Sequence, residues 1–296
     1  MTRTLEDGTA GTIAIGDIRV RRLGFGAMRI WQAAGADGRP DRAAARALCR
    51  RVHERGVNFI DTADIYGPGG IGQSEEIIAE ALHPYPPGLL IATKAGFLPG
   101  GINPANGMMP VDGRPEHIRA ACEASLRRLR VECIDLYQSH VPDPSVPYED
   151  TIGAFADLQR AGKIRHVGVS NVSRRHLAAA RAIVPVVSVQ NRFNVGDQAS
   201  AAVLQACADA GIAFVPWAPM IFGGTGAEPQ ARAIAQARGV PLQQVALSWL
   251  LRRSPSILPI PGTSDIRHLD ENVDAAWLDL SAEDLSRLDG EGVPAR

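Results

Sequence analysis

Val57-Asn-Phe-Ile-Asp-Thr62, Leu89-Leu-Ile-Ala-Thr-Lys94 and Ile134-Asp-Leu-Tyr-Gln-Ser-His140 are three short apolar runs, and each ends in polar side chains. Each run follows a segment with the spacing of a helix, so the three predict successive strands of a repeated strand–helix unit. In a barrel built from such units, the carboxyl ends of the strands meet on one face, and that face carries the chemistry. The polar ends of these runs are therefore expected to lie together.

Four of the side chains at these ends form a candidate proton-delivery group, namely Asp61, Tyr66, Lys94 and His140. A phenol has an ordinary pKa of about 10. We expect the Lys94 ammonium to lower the pKa of Tyr66 and to make it a better acid near neutral pH. Asp61 can hold Lys94 in its charged form, and His140 can hydrogen-bond a substrate oxygen. The group suits the transfer of a proton to a carbonyl oxygen.

The same alternation of strand-like and helix-like segments extends over most of the chain. The predicted strands are residues 23–27, 57–61, 89–94, 134–140, 164–170, 186–190, 212–217 and 257–261. The main predicted helices are residues 41–55, 74–82, 115–129, 147–161, 198–210, 229–238, 241–252 and 265–276, with one more that starts at Ser173. Because no low-complexity linker interrupts the series, we predict an α/β fold, a closed (β/α)8 TIM barrel that forms one domain over residues 1–296.

Three segments fall outside the repeat. Residues 12–15 and 18–21, joined by Gly16-Asp17, predict an N-terminal β-hairpin that caps the bottom of the barrel. Residues 281–288 predict an extra C-terminal helix. The Pro- and Gly-rich residues 98–113 are long enough to form a lid over the mouth.

The composition excludes several classes of protein. The 296 residues include 45% hydrophobic side chains, and 31 basic against 32 acidic residues leave a formal net charge of -1. We therefore expect no nucleic-acid partner and no membrane partner, and no apolar run approaches the roughly 20 residues of a membrane span. The start of the chain lacks the apolar core of a signal peptide, which favours a cytoplasmic protein. Four scattered cysteines predict buried free thiols rather than a disulfide framework: Cys49, Cys122, Cys133 and Cys207.

Two other functional interpretations fail on spacing. Gly67-Pro-Gly-Gly-Ile-Gly72 matches Gly-x-Gly-x-x-Gly, but five residues separate it from Asp61 and the next strand ends in Lys94. A dinucleotide fingerprint needs its glycines directly after the strand and an acidic residue about 20 positions on. A metal site at His140 lacks partners, because the chain has no His-x-His or His-Glu-x-x-His spacing.

Four motifs, in order along the chain, resemble the signatures of the aldo-keto reductases. They are Phe59-Ile-Asp-Thr-Ala-Asp-Ile-Tyr-Gly67, Ala92-Thr-Lys-Ala95, Asp135-Leu-Tyr-Gln-Ser-His140 and Gly168-Val-Ser-Asn171. The resemblance implies an NADPH-dependent oxidoreductase, with NADH less favoured, that acts on a small aldehyde or ketone as a monomer or weak oligomer. Tyr66 would then donate the proton. Tyr66-Gly-Pro, Leu82-His-Pro-Tyr-Pro-Pro and Ile260-Pro-Gly-Thr-Ser are more loosely similar to the pyridoxal-reductase branch.

The residues at the later strand ends suggest where a nicotinamide would lie. Ser170 and Asn171 could bind its carboxamide or simply form a turn. If they bind it, Gln190 would be the third residue to contact the carboxamide. Trp217, followed by Pro219, offers a flat surface for stacking. The resemblance matches all but Pro219 to the family, whose aromatic residue is often Tyr rather than Trp.

The turn after the eighth predicted strand is the candidate phosphate site. Its backbone amides suit a phosphate, although Ser264 could instead be an ordinary helix cap. The resemblance places the adenosine 2′-phosphate near Thr263, Ser264 and Arg267, and assigns Glu271 and Asn272 to the adenine. Many members of the family have Lys or Arg just after this strand, where this chain has Gly262-Thr263, which weakens the case for NADPH.

Two other functions stay open at this point. The chain could be a nicotinamide-binding sensor or regulatory subunit without turnover, which steady reduction of an aldehyde would exclude. It could also be a Schiff-base aldolase that uses Lys94, because lysines at barrel strand ends do that work as well.

Overall fold

The computed structural model describes residues 3–7, 10–100, 109–222 and 227–289, and parallel strands surround its centre. Seven strands pair in chain order, β3 to β9, and a separate antiparallel pair, β1 and β2, precedes them. Their bounds are β1 Thr12–Ile15, β2 Ile18–Arg21, β3 Phe25–Gly26, β4 Phe59–Asp61, β5 Leu90–Ala95, β6 Ile134–Ser139, β7 Ile164–Ser170, β8 Val186–Gln190 and β9 Ala213–Phe214. The predicted α/β barrel and its N-terminal hairpin are confirmed.

The segment predicted as an eighth strand, residues 257–261, closes the sheet without forming a regular strand. On one side, Gly24 N donates to Pro259 O at 2.9 Å, and on the other side Leu258 N donates to Phe214 O at 2.9 Å. The two prolines of the segment lack an N–H group, so they accept hydrogen bonds but cannot continue a ladder. The prediction that residues 257–261 form a strand was wrong for this reason, whereas the prediction that they close the barrel was right.

Strand β9 is also shorter than the predicted residues 212–217. Beyond Phe214 the pairing becomes irregular: Val215 N still donates to Val189 O at 2.8 Å, and at the mouth Trp217 forms a single bridge with Arg192. The side chain of Trp217 is therefore presented at the rim instead of within the sheet.

Ten α-helices lie among the described residues. They are α1 Arg42–Glu54, α2 Gln73–Leu82, α3 Pro115–Leu129, α4 Tyr148–Arg160, α5 Arg174–Ile183, α6 Ala201–Asp209, α7 Ala227–Arg238, α8 Leu242–Arg253, α9 Ile266–Asp274 and α10 Ala282–Asp289. Residues at the N-terminal ends of α1 and α3 explain why these helices begin where they do. The Asp41 carboxylate accepts from the amides of Ala43 and Ala44, and Pro115 occupies the first position of α3, where no N–H is needed.

The hairpin fills the bottom of the barrel. Ile15 and Val20 are fully buried and belong to one apolar cluster with Phe59, Leu90 and Leu136 from the barrel strands. A second, larger cluster lies between the strands and the helices that surround them. Polar side chains at the mouth are thus held on a scaffold that is packed from below and from outside.

Three smaller predictions concern the cysteines, the loop over the mouth and membrane-spanning helices. Cys49, Cys122 and Cys207 are buried free thiols as expected, but Cys133 is exposed because it precedes β6 in the loop at the bottom of the barrel. The stems of the predicted lid pair through Leu98 N and Pro110 O at 2.8 Å, while residues 101–108 lie outside the described residues. In the described ranges, no helix combines the length and apolarity needed to cross a lipid bilayer.

Candidate active site

The four side chains predicted to act together do meet at the mouth of the barrel. Lys94 Nζ lies 2.6 Å from Asp61 Oδ2 and donates to Tyr66 Oη at 3.4 Å. The rings of Tyr66 and His140 meet edge to face, with centroids 6.0 Å apart. Neighbouring parallel strands explain this arrangement, because Asp61 ends β4, Lys94 lies in β5 and His140 directly follows β6.

The buried charge pair of Asp61 and Lys94 is saturated with hydrogen bonds. Lys94 Nζ also donates to Thr62 O at 2.7 Å. Asp61 Oδ1 accepts from Gln138 Nε2 at 3.1 Å and from Gln190 Nε2 at 2.9 Å. Burying two charges costs several kcal/mol unless their remaining donors and acceptors are satisfied, and these contacts satisfy them.

Gln138 is a site residue that the sequence argument missed. Its amide stands beside that of Gln190 on the same carboxylate oxygen, although the two residues are far apart in the chain. The available signal was its place in β6, two positions before His140, because residues two apart on a strand face the same side. Gln190, expected at the nicotinamide, directs its amide nitrogen to Asp61.

Lys94 acts on Tyr66 in the expected direction, but the expected net lowering of the Tyr66 pKa does not occur. Burial raises the pKa of Tyr66 above its ordinary value, and the opposing influence of Lys94 does not overcome it. Burial also disfavours the charge of Lys94, but Asp61 and Tyr66 outweigh burial and raise its pKa. Tyr66 therefore keeps its proton, and Lys94 stays an ammonium.

His140 is a neutral imidazole in this site. Burial, with a smaller contribution from Lys94, places its pKa well below the ordinary value. Its Nδ1 is buried and has no hydrogen-bond partner among the described residues, and Phe97 packs edge to face at a centroid distance of 4.6 Å. A neutral ring held in this way can donate one hydrogen bond to an oxygen without adding a positive charge to the site.

The residues predicted to hold a nicotinamide form a connected strip along the rim. Asn171, with a left-handed φ of 58°, donates through Nδ2 to His140 O at 2.9 Å and accepts from Trp217 Nε1 at 3.0 Å. Ser170 Oγ donates to Gln190 O at 2.7 Å. Pro219 is buried in the segment after Trp217. The strip ties the aromatic surface of Trp217 to the backbone of His140.

The turn before α9 differs from the expectation for a phosphate site. The helix is capped by Asp265 and not by Ser264, since the Asp265 carboxylate accepts from the amides of Arg267 at 2.7 Å and His268 at 3.3 Å. Thr263 Oγ1 accepts in turn from Asp265 N at 3.0 Å. Two amides of this turn are therefore occupied by a carboxylate, because Asp265 and not Ser264 stands at the position directly before the helix.

The remaining residues of the predicted adenine and phosphate group lie around the same turn. The Arg267 side chain is 74% exposed, and its guanidinium is 3.6 Å from Asp265. Asn272 is buried, and Glu271 is half-buried with its backbone carbonyl accepting from Gln244 Nε2 at 2.8 Å. At Gly262 an added Cβ would lie 2.7 Å from Gly26 O, so the barrel seam leaves no room for a side chain there. The Lys or Arg common in the family is thus excluded by packing.

No three His, Cys, Asp or Glu side chains gather as a possible metal site within the part of the chain that the structure describes. A family model described as the Aldo/keto reductase family matches residues 22–291. The chain belongs to the aldo/keto reductase family. The match spans every strand of the barrel and all four residues at its mouth, so this aldo/keto reductase has the fold and the oxidoreductase class of its relatives.

Individual relatives agree over nearly the full length. An uncharacterised oxidoreductase of Schizosaccharomyces pombe is 44% identical over 290 residues, which are 97% of this chain and 92% of that protein. The pyridoxine 4-dehydrogenase of Escherichia coli is 40% identical over 290 residues, 95% of this chain and 98% of that enzyme. An aldo-keto reductase of Klebsiella pneumoniae, crystallised with NADPH, is similar with a TM-score of 0.75 and 25% identity over 98% of this chain and 95% of that one.

Proposed function

We propose that this aldo/keto reductase reduces an aldehyde or ketone to an alcohol with NADPH, and that Tyr66 supplies the proton. The observation that carries the proposal is the buried Lys94–Asp61 pair, whose ammonium lies 3.4 Å from the Tyr66 hydroxyl. When bound, the nicotinamide would supply a hydride to the carbonyl carbon. The half-buried Trp217 at the rim, joined to Asn171, fits the ring of such a cofactor.

Each residue of the site then has a distinct task. Tyr66, kept protonated by burial, donates its proton to the carbonyl oxygen as charge develops there. Lys94 stabilises the phenolate that Tyr66 becomes, an interaction that is stronger after proton transfer than before it. Neutral His140 donates a hydrogen bond that orients the carbonyl, and Asp61 keeps Lys94 charged and in place.

The aldolase alternative is disfavoured by the state of Lys94. A Schiff base requires a neutral amine that is free to attack a carbonyl. Here the pKa of Lys94 is raised, and its nitrogen already donates to Asp61, Thr62 and Tyr66. Borohydride with an aldehyde and no nucleotide would label Lys94 in an aldolase, and we expect no label.

The choice between NADPH and NADH depends on two opposite charges at the turn before α9, those of Arg267 and Asp265. Arg267 is exposed and within reach of a phosphate at this turn, which favours NADPH, whereas the Asp265 carboxylate repels one. The Klebsiella relative was crystallised with NADPH. We assign NADPH to this chain because Arg267 can turn from Asp265 to a phosphate at little cost, since an exposed pair is worth at most about 1 kcal/mol.

We propose pyridoxal as the substrate to test first. The Escherichia coli relative is named a pyridoxine 4-dehydrogenase, and pyridoxine is the alcohol that reduction of pyridoxal yields. Three short motifs of this chain resemble the pyridoxal-reductase branch independently of that relative.

The test is steady-state oxidation of NADPH by purified protein with pyridoxal. Tyr66→Phe should lower turnover by roughly 10²–10⁴, the contribution expected of a general acid, with NADPH binding unchanged. Tyr85→Phe is the matched control, because the Tyr85 hydroxyl donates to Leu129 O away from the mouth. Near-normal turnover by Tyr66→Phe would remove the proton donor from the scheme, and binding of NADPH without turnover of any aldehyde would favour the regulatory alternative.

A further inference from the structure

A second buried polar cluster adjoins the loop that carries Tyr66. It consists of Asp64 in that loop, Glu75 on α2, Thr93 on β5 and Arg128 on α3. Glu75 is fully buried, and its two oxygens accept from Thr93 Oγ1 at 2.5 Å and from Arg128 Nε at 2.6 Å. Asp64 is 9% exposed. The cluster therefore contains two carboxyl groups and one guanidinium.

The hydrogen bonds divide unequally between the two carboxyl groups. Glu75 has a strong donor on each oxygen, whereas Asp64 receives only the backbone amide of Ile65, and its Oδ1 is buried without a partner among the described residues. A charged oxygen without a donor is costly in a buried site, and a protonated carboxyl is much less so. The contacts thus assign the negative charge to Glu75 and a proton to Asp64.

The groups that face Asp64 explain when it would lose that proton. They are Glu75 from α2, Arg128 from α3, Lys94 from β5, Tyr137 from β6 and Tyr66 from its own loop. Burial, followed by Glu75, raises the pKa of Asp64 to about 8, and the two cations offset this only in part. Ionisation of Asp64 therefore falls just above neutral pH.

The loop that carries Asp64 and Tyr66 is held by backbone hydrogen bonds and tight packing, so it has little room to rearrange when Asp64 becomes charged. Asp64 N donates to Lys94 O at 3.1 Å, and Ser74 N donates to Tyr66 O at 3.1 Å. At Gly72 an added Cβ would lie 2.3 Å from Arg128 Nε and 2.9 Å from Asp64 O, so the guanidinium packs directly against the loop. A shift of Arg128 toward an ionised Asp64 would move the backbone that holds Tyr66.

We propose that Asp64 is a positioning residue for Tyr66. Its protonated form keeps the tyrosine hydroxyl beside Lys94, and its ionised form competes with Glu75 for Arg128 and displaces the loop. Asp64 touches neither substrate nor cofactor in this scheme and acts only through Tyr66. The inference rests on the proposed function, because it supposes that Tyr66 is the proton donor.

The first measurement is kcat against pH with saturating NADPH and 4-nitrobenzaldehyde, an aldehyde that does not itself ionise in this range. Wild-type kcat should fall above about pH 8, where Asp64 ionises. In Asp64→Asn, which cannot ionise, this fall should vanish. For each protein we divide kcat one pH unit above the transition by kcat at neutral pH, and this ratio should be about tenfold higher in Asp64→Asn than in wild type.

Two variants make the result specific. Asp135→Asn is the matched control, because Asp135 is a partly buried carboxyl on β6 that accepts from Ile91 N at 3.3 Å and whose pKa is also raised by burial. Its profile should follow wild type. Glu75→Gln removes the competing carboxylate, so Asp64 should ionise well below pH 8 and pair with Arg128, and kcat should stay low without a fall near pH 8. This variant keeps the test open if Asp64→Asn folds poorly.

The second measurement needs no turnover. Hydrogen exchange of the peptide 62–74 should show lost protection in wild type, relative to Asp64→Asn at the same pH, only above about pH 8. Equal protection in both proteins, or a kcat profile unchanged in both Asp64→Asn and Glu75→Gln, would overturn the inference. Absence of aldehyde reduction at every pH would instead refute the proposed function, and the exchange result would still show whether Asp64 controls the loop.

Discussion

At the scale of single residues, Lys94 illustrates how a buried charge is shared. A lysine beside a tyrosine suggests a lowered phenol pKa, yet Asp61 is 2.6 Å from the ammonium while the phenol is 3.4 Å away. Burial outweighs the influence of the ammonium and keeps Tyr66 protonated, and the nearer carboxylate acts in the same direction as burial. In the proposed reaction, Lys94 stabilises Tyr66 only once the phenol has lost its proton, and that is when stabilisation accelerates a reaction.

The coenzyme prediction belongs to this scale. Arg267→Ala should weaken NADPH binding by about tenfold, because a charge-assisted hydrogen bond to phosphate at an exposed site is worth about 1.5 kcal/mol. NADH lacks the phosphate and should bind as before. Quenching of tryptophan fluorescence during titration measures both nucleotides, with Trp217 at the rim as the expected reporter.

The matched variant for Arg267 is Asp265→Asn, which keeps an oxygen to cap α9 but removes the negative charge from the turn. NADPH should then bind more tightly than to wild type. Equal losses of NADPH and NADH in Arg267→Ala would show that Arg267 has another role. Tighter binding of NADH than of NADPH by wild type would overturn the choice of coenzyme.

At the scale of elements, two helices distant in sequence are joined by ion pairs. Arg55, which follows α1 and is 2% exposed, donates to Asp270 on α9 at 2.6 Å and to Asp274 at 2.6 Å. Arg51 adds a second contact to Asp270 at 2.9 Å. The helix that carries the candidate adenine residues is thereby tied to the first helix of the barrel.

We predict that Arg55→Met lowers the free energy of unfolding by about 1.5–3 kcal/mol, the usual value for hydrogen bonds to charged groups. Arg46→Met is the control on the same helix, because Arg46 is exposed and lies 3.8 Å from Glu80. Its cost should stay within about 0.5 kcal/mol. Urea unfolding measures both, and equal costs would mean that the α1–α9 contact does not depend on the buried arginine.

At the scale of the whole molecule, stability and chemistry occupy opposite ends of the barrel. The hairpin buries Ile15 and Val20 completely at the bottom, and the Asp61–Lys94 pair lies at the mouth. Asp17 in the hairpin turn also contacts His166 of β7 at 2.7 Å, which holds the hairpin against the strands. The bottom of such a barrel contributes to stability and the top to catalysis.

Ile15→Ala should therefore destabilise the protein by about 2–5 kcal/mol, the range for truncating a fully buried isoleucine. Turnover measured well below the unfolding temperature should not change. Thr12→Ala, at an exposed position of the same strand, should alter neither property beyond about 0.5 kcal/mol. Loss of turnover in folded Ile15→Ala would show that the hairpin acts on the mouth.

The sequence by itself determined the order of elements, the barrel and the four residues at its mouth. Strand ends, caps such as Asp41 and the start of α3 at Pro115 follow from local chemistry, which depends on neighbours in the chain. Only the tertiary structure decided that residues 257–261 close the sheet without a ladder, that Asp265 occupies two amides in the first turn of α9, and that Gln138 joins Gln190 on Asp61.

The protonation states were likewise decided in three dimensions. The pKa of Tyr66 depends on burial and on Asp61 as well as on Lys94, and the pKa of Asp64 depends on Glu75, which lies on another element. These effects fall steeply with distance and change with the local dielectric. A pattern along the chain identifies the groups that meet, but the distances and the exclusion of water that set their charges exist only once the barrel has closed.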